Sequence, residues 1–420
     1  MTRYTLPYGK TTLTFTLPDD RPADLLAPRP VPAAANPAAV VKHALDHPVG
    51  GPRLADLPRP RTAAIAINDK TRPVPHHLLL PPLLARLEAL GLPPTAITLV
   101  IATGTHPPMA PSEFQTVVPP DILARYPVVC HNAYDPDTLT LLGQTRRGTP
   151  VWVNRRFAQA DLRIVVGNLE PHQFMGFSGG VKSAAIGLAG AETVNRNHAL
   201  MADPQSRLGE YERNPARQDV EEIGRIIGIH FALNALLNDH KQLVDALAGD
   251  PQAVMKAGIP RVRALFQVEI EAPYDLLIAS PGGYPKDINV YQAQKGLAHA
   301  ALATREGGTV ILAAACPEGS GSDKYEQWVA GKRSHREVVA RFEAEGFRVG
   351  PHKAFQIARD ALRVRLLLVS DMPDSLAGRL LLPKVPGLEQ ALQMALADLP
   401  PAARIGVMPL ANATIPLIKS

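Results

Sequence analysis

Cysteine is almost absent from this sequence, and long apolar runs are missing. The 420 residues include two cysteines, Cys130 and Cys316, which form no CxxC pair. Their scarcity excludes a disulfide framework and a zinc ribbon, and it fits a reducing compartment. No apolar run reaches the about 18 residues of a membrane-spanning helix, and the stretch from Met1 to Phe15 lacks the pattern of a secretion signal. We therefore expect a cytoplasmic protein that does not associate with membranes.

The sequence also has little excess of charge of either sign. Forty-four Lys and Arg residues against 39 Asp and Glu residues leave a net charge of +5, with no basic cluster. Only the pI of about 9.2 suggests a nucleic-acid-binding protein, and we expect no nucleic-acid partner. A content of 46% hydrophobic and 20% charged residues excludes a disordered chain. At about 150 residues per domain, the length predicts two or three domains.

Six short aliphatic runs each end in a cluster of glycine, proline and polar residues, and helical patterns follow them. Such runs are typical of buried strands in parallel α/β sheets. The runs are Thr62–Ile67, Ile97–Ala102, Leu162–Val166, Asp275–Ala279, Thr309–Ala315 and Val364–Val369. The sequence therefore predicts an α/β fold with polar site residues at the carboxyl ends of the strands.

The grouping of these runs predicts two α/β domains with mostly parallel sheets and an active-site cleft between them. We place the N-terminal domain at residues 1–265 and expect a strand within residues 402–420 to complete it. The C-terminal domain is predicted at residues 273–395. The chain would cross from one domain to the other within Pro260–Pro273.

The densest motif is Glu-Pro-His-Gln-Phe-Met-Gly-Phe-Ser-Gly-Gly-Val-Lys-Ser, from Glu170 to Ser183, followed by an Ala/Leu-rich helical pattern. Glycines at a helix start expose backbone N–H groups to an anion, so phosphate binding is the physical expectation. This reading leaves open a kinase or ATPase with a phosphate loop. Val181 weighs against that alternative, because the phosphate-loop pattern places a glycine directly before Lys182. A glycine-rich turn with an exposed lysine is the structural alternative.

Three histidines occupy positions at which they could transfer protons or bind a metal. His106 and His172 each follow a predicted strand, so both imidazoles can face the same crevice and move protons near neutral pH. Taken singly, each is better explained as a partly buried structural histidine. His198 occupies a helical position, where a lone imidazole is usually structural but can bind a metal together with external ligands.

Two further groups of polar residues are candidates for substrate binding. Asp69 and Arg72 follow the first predicted strand, and the guanidinium fork of Arg72 matches a carboxylate, with Asp69 orienting a neighbouring group. Tyr291, Gln292 and Lys295 share neighbouring parts of one helical face in a helix predicted to start near Asp287. A solvated helix face explains the second group equally well.

Taken together, these motifs resemble the nickel-dependent lactate racemase family. The matching segments are Asp69-Lys-Thr-Arg-Pro-Val-Pro, Ala-Thr-Gly-Thr-His106, the segment from Glu170 to Ser183, His198, and Tyr291-Gln-Ala-Gln-Lys295. Their order and spacing match from the Leu6-Pro-Tyr-Gly-Lys hairpin to at least Lys295. The glycine-rich segment is far more specific than any single element.

The resemblance implies a cofactor that supplies most of its own metal ligands. That cofactor is a pyridinium-3,5-bisthiocarboxylic acid mononucleotide derivative that holds nickel and is joined covalently to a lysine, which corresponds to Lys182. His198 corresponds to the metal-binding histidine. The residues Gly176, Ser178, Gly179 and Gly180 correspond to the cofactor-binding turn near the phosphate. Cofactor-building enzymes are therefore implied as maturation partners.

The resemblance also implies a 2-hydroxyacid racemase or epimerase. His106 or His172 takes the hydroxyl proton while the neighbouring hydrogen passes to the cofactor as hydride, and return to the other face of the flat 2-keto acid inverts the centre. A second set of residues is implied to bind the substrate, namely Arg72, Gln292 and Lys295 at the carboxylate, supported by Tyr291 and Asp69. Pro107-Pro108, where relatives often carry a basic residue, and Phe355, in place of another aromatic residue, are departures that bear on the substrate pocket.

Overall fold

The structure is a computed structural model that describes residues 1–347 and 350–419. Contacts divide the chain into two compact units. The central unit comprises Pro30–Leu265, and the terminal unit combines Met1–Arg29 with Phe266–Ser420. The boundary at Leu265 and Phe266 falls inside the crossing point predicted from the sequence.

The described residues form strands and helices in the following order. The strands are β1 (Thr2–Tyr8), β2 (Thr11–Leu17), β3 (Ala23–Leu25), β4 (Ala63–Asn68), β5 (Ile97–Ala102), β6 (Val128–Cys130), β7 (Leu139–Gln144), β8 (Pro150–Asn154), β9 (Leu162–Asn168), β10 (Pro171–His172), β11 (Gly176–Phe177), β12 (Phe231–Leu237), β13 (Leu243–Gly249), β14 (Gln267–Ile270), β15 (Tyr274–Ala279), β16 (Thr304–Ala313), β17 (Arg365–Val369), β18 (Lys384–Val385), β19 (Ile405–Met408) and β20 (Ile415–Ile418). The α-helices are α1 (Pro37–Asp46), α2 (His76–Ala89), α3 (Pro120–Arg125), α4 (Arg155–Gln159), α5 (Lys182–Ala185), α6 (Ala191–Ala199), α7 (Pro215–Ile227), α8 (Pro251–Phe266), α9 (Val290–Ala303), α10 (Asp323–Val329), α11 (His335–Glu345), α12 (Pro351–Arg363), α13 (Asp374–Arg379) and α14 (Leu388–Ala397).

The central unit is built around a six-stranded sheet in the order β13-β12-β9-β4-β5-β6. All neighbouring strands are parallel except the β12–β13 pair. The strands β4, β5 and β9 are almost wholly buried, as expected for aliphatic runs covered on both faces. Ile65, Leu99 and Ile164 lie fully buried in the core of this unit. The prediction of a parallel sheet from these runs is confirmed.

The terminal unit is built around a second six-stranded sheet, in the order β18-β17-β16-β15-β19-β3, in which every pair is parallel. The hairpin β1–β2 packs one face against this unit's core, because its apolar residues alternate along each strand. Leu6 and Leu17 are fully buried there. The three aliphatic runs predicted for the second domain are confirmed as β15, β16 and β17.

The predicted domain boundaries need two corrections. The strand expected within residues 402–420 belongs to the terminal unit, since β19 pairs with β15 and not with the central sheet. Residues 1–29, predicted as part of the N-terminal domain, also belong to the terminal unit, because β3 pairs with β19. Pairings between such distant segments leave no trace in local patterns. Among the described residues, no helix is long and apolar enough to cross a membrane.

Candidate active site

Asp69 and His106 form a hydrogen-bonded pair at the carboxyl ends of β4 and β5. His106 Nδ1 lies 2.8 Å from Asp69 Oδ2, while Asp69 Oδ1 accepts from the backbone N–H and the hydroxyl of Thr71. Burial raises the pKa of Asp69, but the hydrogen bonds from His106 and Thr71 outweigh burial and leave that pKa below its ordinary value. The ionised carboxylate can only accept, so Nδ1 of His106 carries a hydrogen and Nε2 is left as the basic nitrogen.

His172 is held in the complementary arrangement. The backbone N–H of Met175 donates to its Nδ1 at 3.3 Å, so the proton of the neutral ring resides on Nε2. The ring of His172 packs edge-to-face on Phe174 at 5.0 Å, and Phe174 packs in the same way on His198 at 5.1 Å. Phe174 thus fixes the positions of two of the predicted site histidines. Nothing in the sequence distinguished it from an ordinary core aromatic.

Lys182 lies at the end of the glycine-rich turn and is buried. Burial lowers the pKa of its amine well below the ordinary value, the positive charges of Arg72 and Arg217 lower it further, and Glu170 offsets part of the effect. The lowered pKa favours the neutral, nucleophilic form of the amine. These charge effects also place Arg72 within electrostatic reach of Lys182.

The turn before Lys182 requires glycine. A Cβ at Gly176 would lie 1.7 Å from the backbone oxygen of Glu210, and Gly179 adopts a φ of +86°. Asn234 on β12 accepts from the N–H of Gly180 at 2.7 Å, and Ser178 donates through Oγ to the backbone oxygen of Asn168 at 3.3 Å. The turn is therefore tied to the carboxyl ends of two strands.

A buried arginine clamps the same turn. Arg217 on α7 is fully buried and donates to the backbone oxygens of Phe177 at 3.0 Å and Gly179 at 3.1 Å. Glu221, one turn later on α7, balances its charge at 2.6 Å. The sequence analysis missed Arg217, Glu221 and Asn234, although the i, i+4 spacing of an Arg–Glu pair was visible.

The helix predicted after Lys182 is a single turn. α5 spans only Lys182–Ala185, and α6 begins at Ala191. The chain leaves the helix because Gly187 packs its backbone against Ser183 and Ala102, where no side chain fits. One of the glycine N–H groups expected to face an anion is instead bonded to Asn234. This arrangement does not support the phosphate-loop kinase or ATPase alternative.

His198 lies near the end of α6, as predicted. Its Nδ1 is 3.2 Å from Asn197 Oδ1. Burial, together with the positive charges of Lys182 and Arg72, lowers the pKa of His198 to about 3, so its ring is neutral. No three of the described His, Cys, Asp or Glu residues are grouped so as to hold a metal ion. A metal at His198 therefore needs donors from outside the protein.

The predicted substrate-binding residues of the terminal unit share one face of α9. Asn289 caps this helix by accepting from the backbone N–H of Gln292 at 3.1 Å, so the helix begins at Val290 rather than near Asp287. Lys295 Nζ donates to Gln292 Oε1 at 2.7 Å. Tyr291, Gln292 and Lys295 are half-buried, in contrast to their fully buried neighbours on the helix.

Two residues noted as departures have different settings. Phe355 is buried and stacks on Phe342 with ring centroids 4.1 Å apart, so it packs α12 against α11. Pro107 and Pro108 are exposed and follow His106 directly. The departure at Phe355 therefore has a packing role within its unit, whereas the two prolines stiffen the chain beside a site histidine.

The residues of the central unit fit the lysine-bound cofactor that the sequence resemblance implies. A buried amine with a lowered pKa suits covalent attachment, and a single neutral imidazole suits a metal whose other donors are supplied by the cofactor. The side-chain Nδ2 of Asn168 donates to the backbone oxygen of Pro73. Among the described residues, the Oδ1 atom of this amide is one of the buried polar atoms that have no hydrogen-bond partner. This orphaned acceptor beside the turn can receive a hydroxyl hydrogen from a ligand.

Comparisons with known proteins agree with this geometry. The family model for the lactate racemase N-terminal domain matches residues 8–209, and the model for the lactate racemase C-terminal domain matches residues 270–415. The lactate racemase of Lactiplantibacillus plantarum is 31% identical over 413 residues, which cover 96% of this chain and 97% of that protein. The lactate racemase of Thermoanaerobacterium thermosaccharolyticum is 31% identical over 351 residues, or 82% of each chain.

Solved structures show the same relationship. The lactate racemase apoprotein of Thermoanaerobacterium thermosaccharolyticum superposes with a TM-score of 0.92 at 28% identity and covers 99% of this chain and 100% of that one. A protein from Thermotoga maritima shares the fold, with a TM-score of 0.64 at 17% identity over 91% of this chain and 98% of that one. These relatives and family models identify an α/β isomerase of the racemase class. The chain belongs to the lactate racemase family.

Proposed function

We propose that this protein interconverts the two enantiomers of a 2-hydroxy acid by reversible hydride transfer, with a nickel-pincer pyridinium mononucleotide attached to Lys182. The observation that carries the proposal is the pair of hydrogen bonds that engage Nδ1 of His106 and Nδ1 of His172, which make Nε2 the proton-exchanging atom of each ring. An enzyme that inverts a centre needs one group to accept the hydroxyl proton and another to return it. The two imidazoles supply both.

The residues of this chain would act as follows. Nε2 of His106 accepts the hydroxyl proton of one enantiomer, and the Asp69 carboxylate stabilises the imidazolium that forms. The imidazolium form of His172 would donate from Nε2 the proton that restores the hydroxyl group on the other side and would return to the neutral ring, and the roles exchange in the reverse direction. Arg72, an exposed cation at the same sheet edge, would bind the substrate carboxylate. The roles of Gln292, Lys295 and Tyr291 in binding the substrate stay predictions.

The cofactor, when bound, supplies the hydride acceptor. Lys182 would hold it covalently, and Nε2 of His198 would bind its nickel. The turn of Gly176, Ser178, Gly179 and Gly180 would lie against its phosphate, with Asn168 Oδ1 accepting from one of its hydroxyls. We expect the protein to act in the cytoplasm and to be matured by cofactor-building enzymes.

A chiral assay of the matured protein tests the proposed function. The protein is produced together with cofactor-building enzymes, and its intact mass and nickel content are measured before a panel of single-enantiomer 2-hydroxy acids is tested. We expect one nickel per chain, an adduct on Lys182 and conversion of at least one acid to a 1:1 mixture. The Lys182→Ala variant should lack the adduct. Active protein with an unmodified Lys182 would refute the attachment, and full loading without any conversion would refute the activity.

A further inference from the structure

A buried polar cluster behind His198 takes no part in the proposed proton transfers. Its centre is Asp219 on α7, which is 1% exposed. Asp219 Oδ1 accepts from the hydroxyl of Thr145 at 2.6 Å, and Oδ2 accepts from the hydroxyl of Thr149 at 2.9 Å and from Asn197 Nδ2 at 3.0 Å. The two threonines lie at the turn between β7 and β8. Three donors from two other elements thus converge on one carboxylate.

These contacts fix the orientation of the Asn197 side chain. Its Nδ2 faces two groups that can only accept, Asp219 Oδ2 and the backbone oxygen of Ala216, the latter at 2.9 Å. A flipped amide would place its oxygen against both acceptors. The oxygen of Asn197 must therefore face the other way, where it lies 3.2 Å from His198 Nδ1.

The fixed amide in turn determines the state of the imidazole. Oδ1 of Asn197 cannot donate, so the contact is a hydrogen bond only if His198 Nδ1 carries the hydrogen. The lone pair of the neutral ring is then on Nε2. A histidine that binds a metal through one nitrogen commonly donates from the other to an acceptor that sets its tautomer and ring orientation.

We propose that Asn197 and Asp219 are positioning residues that hold His198 as the Nδ1–H tautomer, with the lone pair of Nε2 ready for the metal. This inference rests on the proposed role of His198 as the nickel ligand. Thr145 and Thr149 extend the chain of hydrogen bonds, because their hydroxyls donate to Asp219 Oδ1 and Oδ2 respectively. The alternative is that the cluster merely packs α6 against α7.

The first test measures the tautomer in the unmodified protein. Protein labelled with ¹⁵N-histidine, without cofactor, is studied by NMR near pH 7, and the His198 signals are assigned by their loss in His198→Gln. We expect a protonated Nδ1 and an unprotonated Nε2. Observation of the Nε2–H tautomer overturns the proposal, whether or not the matured protein is active.

The second test measures nickel retention in matured protein. Asn197→Leu removes the acceptor facing His198, and Asp219→Asn keeps the size of the side chain but removes the constraint on the amide. We expect both variants to keep the Lys182 adduct by intact mass while losing nickel to a chelator about 10- to 100-fold faster. Nickel loss at the normal rate from variants that carry the adduct would contradict the proposal.

A matched control separates this effect from general loosening. Asn238→Leu also removes a buried amide, one that donates to Val31 and Gln242 in the same unit, far in sequence from His198. It should leave nickel retention unchanged, and equal loss from it would reduce the cluster to a packing role. If matured protein of the natural sequence holds no nickel, the proposed function fails, whereas the tautomer measurement still decides the positioning of His198.

Discussion

Asp69 Oδ2 accepts a hydrogen bond from His106 Nδ1 at 2.8 Å, although the two residues are 37 positions apart. The carboxylate is almost fully buried, whereas the imidazole is about half exposed. The pair therefore has one fixed member and one member that can reach a substrate. This relationship is the basis of the first prediction.

Asp69→Asn should lower kcat for racemisation by about 10²- to 10⁴-fold, because an amide can donate to Nδ1 and move the proton of His106 to Nε2. The variant should still carry the Lys182 adduct, which intact mass checks before the rate is measured. Asp56→Asn, which removes an exposed carboxylate paired with Arg53, serves as the control and should leave the rate unchanged. A normal rate in Asp69→Asn would remove the carboxylate from the mechanism.

His106→Ala and His172→Ala should each slow the full reaction by about 10²- to 10⁴-fold. Their defects should differ when each enantiomer is studied alone, because in the proposed mechanism each ring takes the hydroxyl proton of a different enantiomer. In single-turnover experiments on adduct-bearing protein, each variant should still oxidise one enantiomer to the 2-keto acid, and the two variants should retain opposite enantiomers. Retention of the same enantiomer by both would contradict the division of roles.

The free energy of unfolding should fall as the pH is lowered from 6.5 towards 4. Burial lowers the pKa of His76 and of His131 to about 4, against an ordinary value of 6.5. Between pH 6.5 and pH 4, these histidines are protonated in the unfolded chain but neutral in the folded protein, so the free energy of unfolding falls as the pH falls. Each of the two histidines should lower the free energy of unfolding by about 1 kcal/mol at pH 5.5 relative to pH 7.5.

Denaturant unfolding at the two pH values measures this effect in His76→Asn and His131→Gln, whose amides can keep the donor to Val117 or Ala189 without titrating. Each variant should show a smaller loss of stability at pH 5.5. His77→Asn changes the exposed neighbour of His76 and should behave like the unaltered protein. An unchanged pH dependence in both buried variants would contradict the assignment.

Arg217→Met should destabilise the protein by about 3–5 kcal/mol, because it leaves the Glu221 carboxylate buried without its partner. It should also speed hydrogen exchange in the turn from Phe177 to Gly180, whose backbone oxygens lose their donor. Denaturant unfolding and exchange mass spectrometry measure the two effects.

The control for this variant is Arg213→Ala. Arg213 pairs with Glu210 at 2.7 Å, but its side chain is 70% exposed, so its removal should cost less than about 1 kcal/mol. Equal losses of unfolding free energy in the two variants would show that burial does not determine how much the Arg217–Glu221 pair stabilises the protein.

Local sequence patterns were sufficient to predict the strands that carry the site. The runs that became β4, β5 and β9 are apolar because both faces of a parallel sheet are covered, and the polar residues that follow them must then lie at one edge. The same reasoning placed Asp69 and His106 together. The roles of the individual side chains remain proposals.

The residues that position the site were not predictable in this way. Asn197, Asp219, Asn234 and Arg217 are polar residues within helices or a strand, and each is important only because of its partner in another element. A single sequence does not reveal which buried donor meets which acceptor. The domain predicted for the strand within residues 402–420 was wrong for the same reason, since β19 pairs with β3, about 380 residues earlier in the sequence.

That last pairing determines the order in which the protein can be completed on the ribosome. Ala23–Leu25 aligns with residues 405–407, so the earliest part of the terminal sheet has no strand to join until residues 405–407 have emerged. The central unit, by contrast, is one uninterrupted segment. Domains fold as units during synthesis, so the central unit, which carries Lys182 and His198, is expected to fold first. The β1–β2 hairpin can pack against the terminal unit only after the rest of that unit has been made. Under the proposed function, maturation enzymes could therefore meet a folded lysine turn on a nascent chain whose terminal unit is still being made.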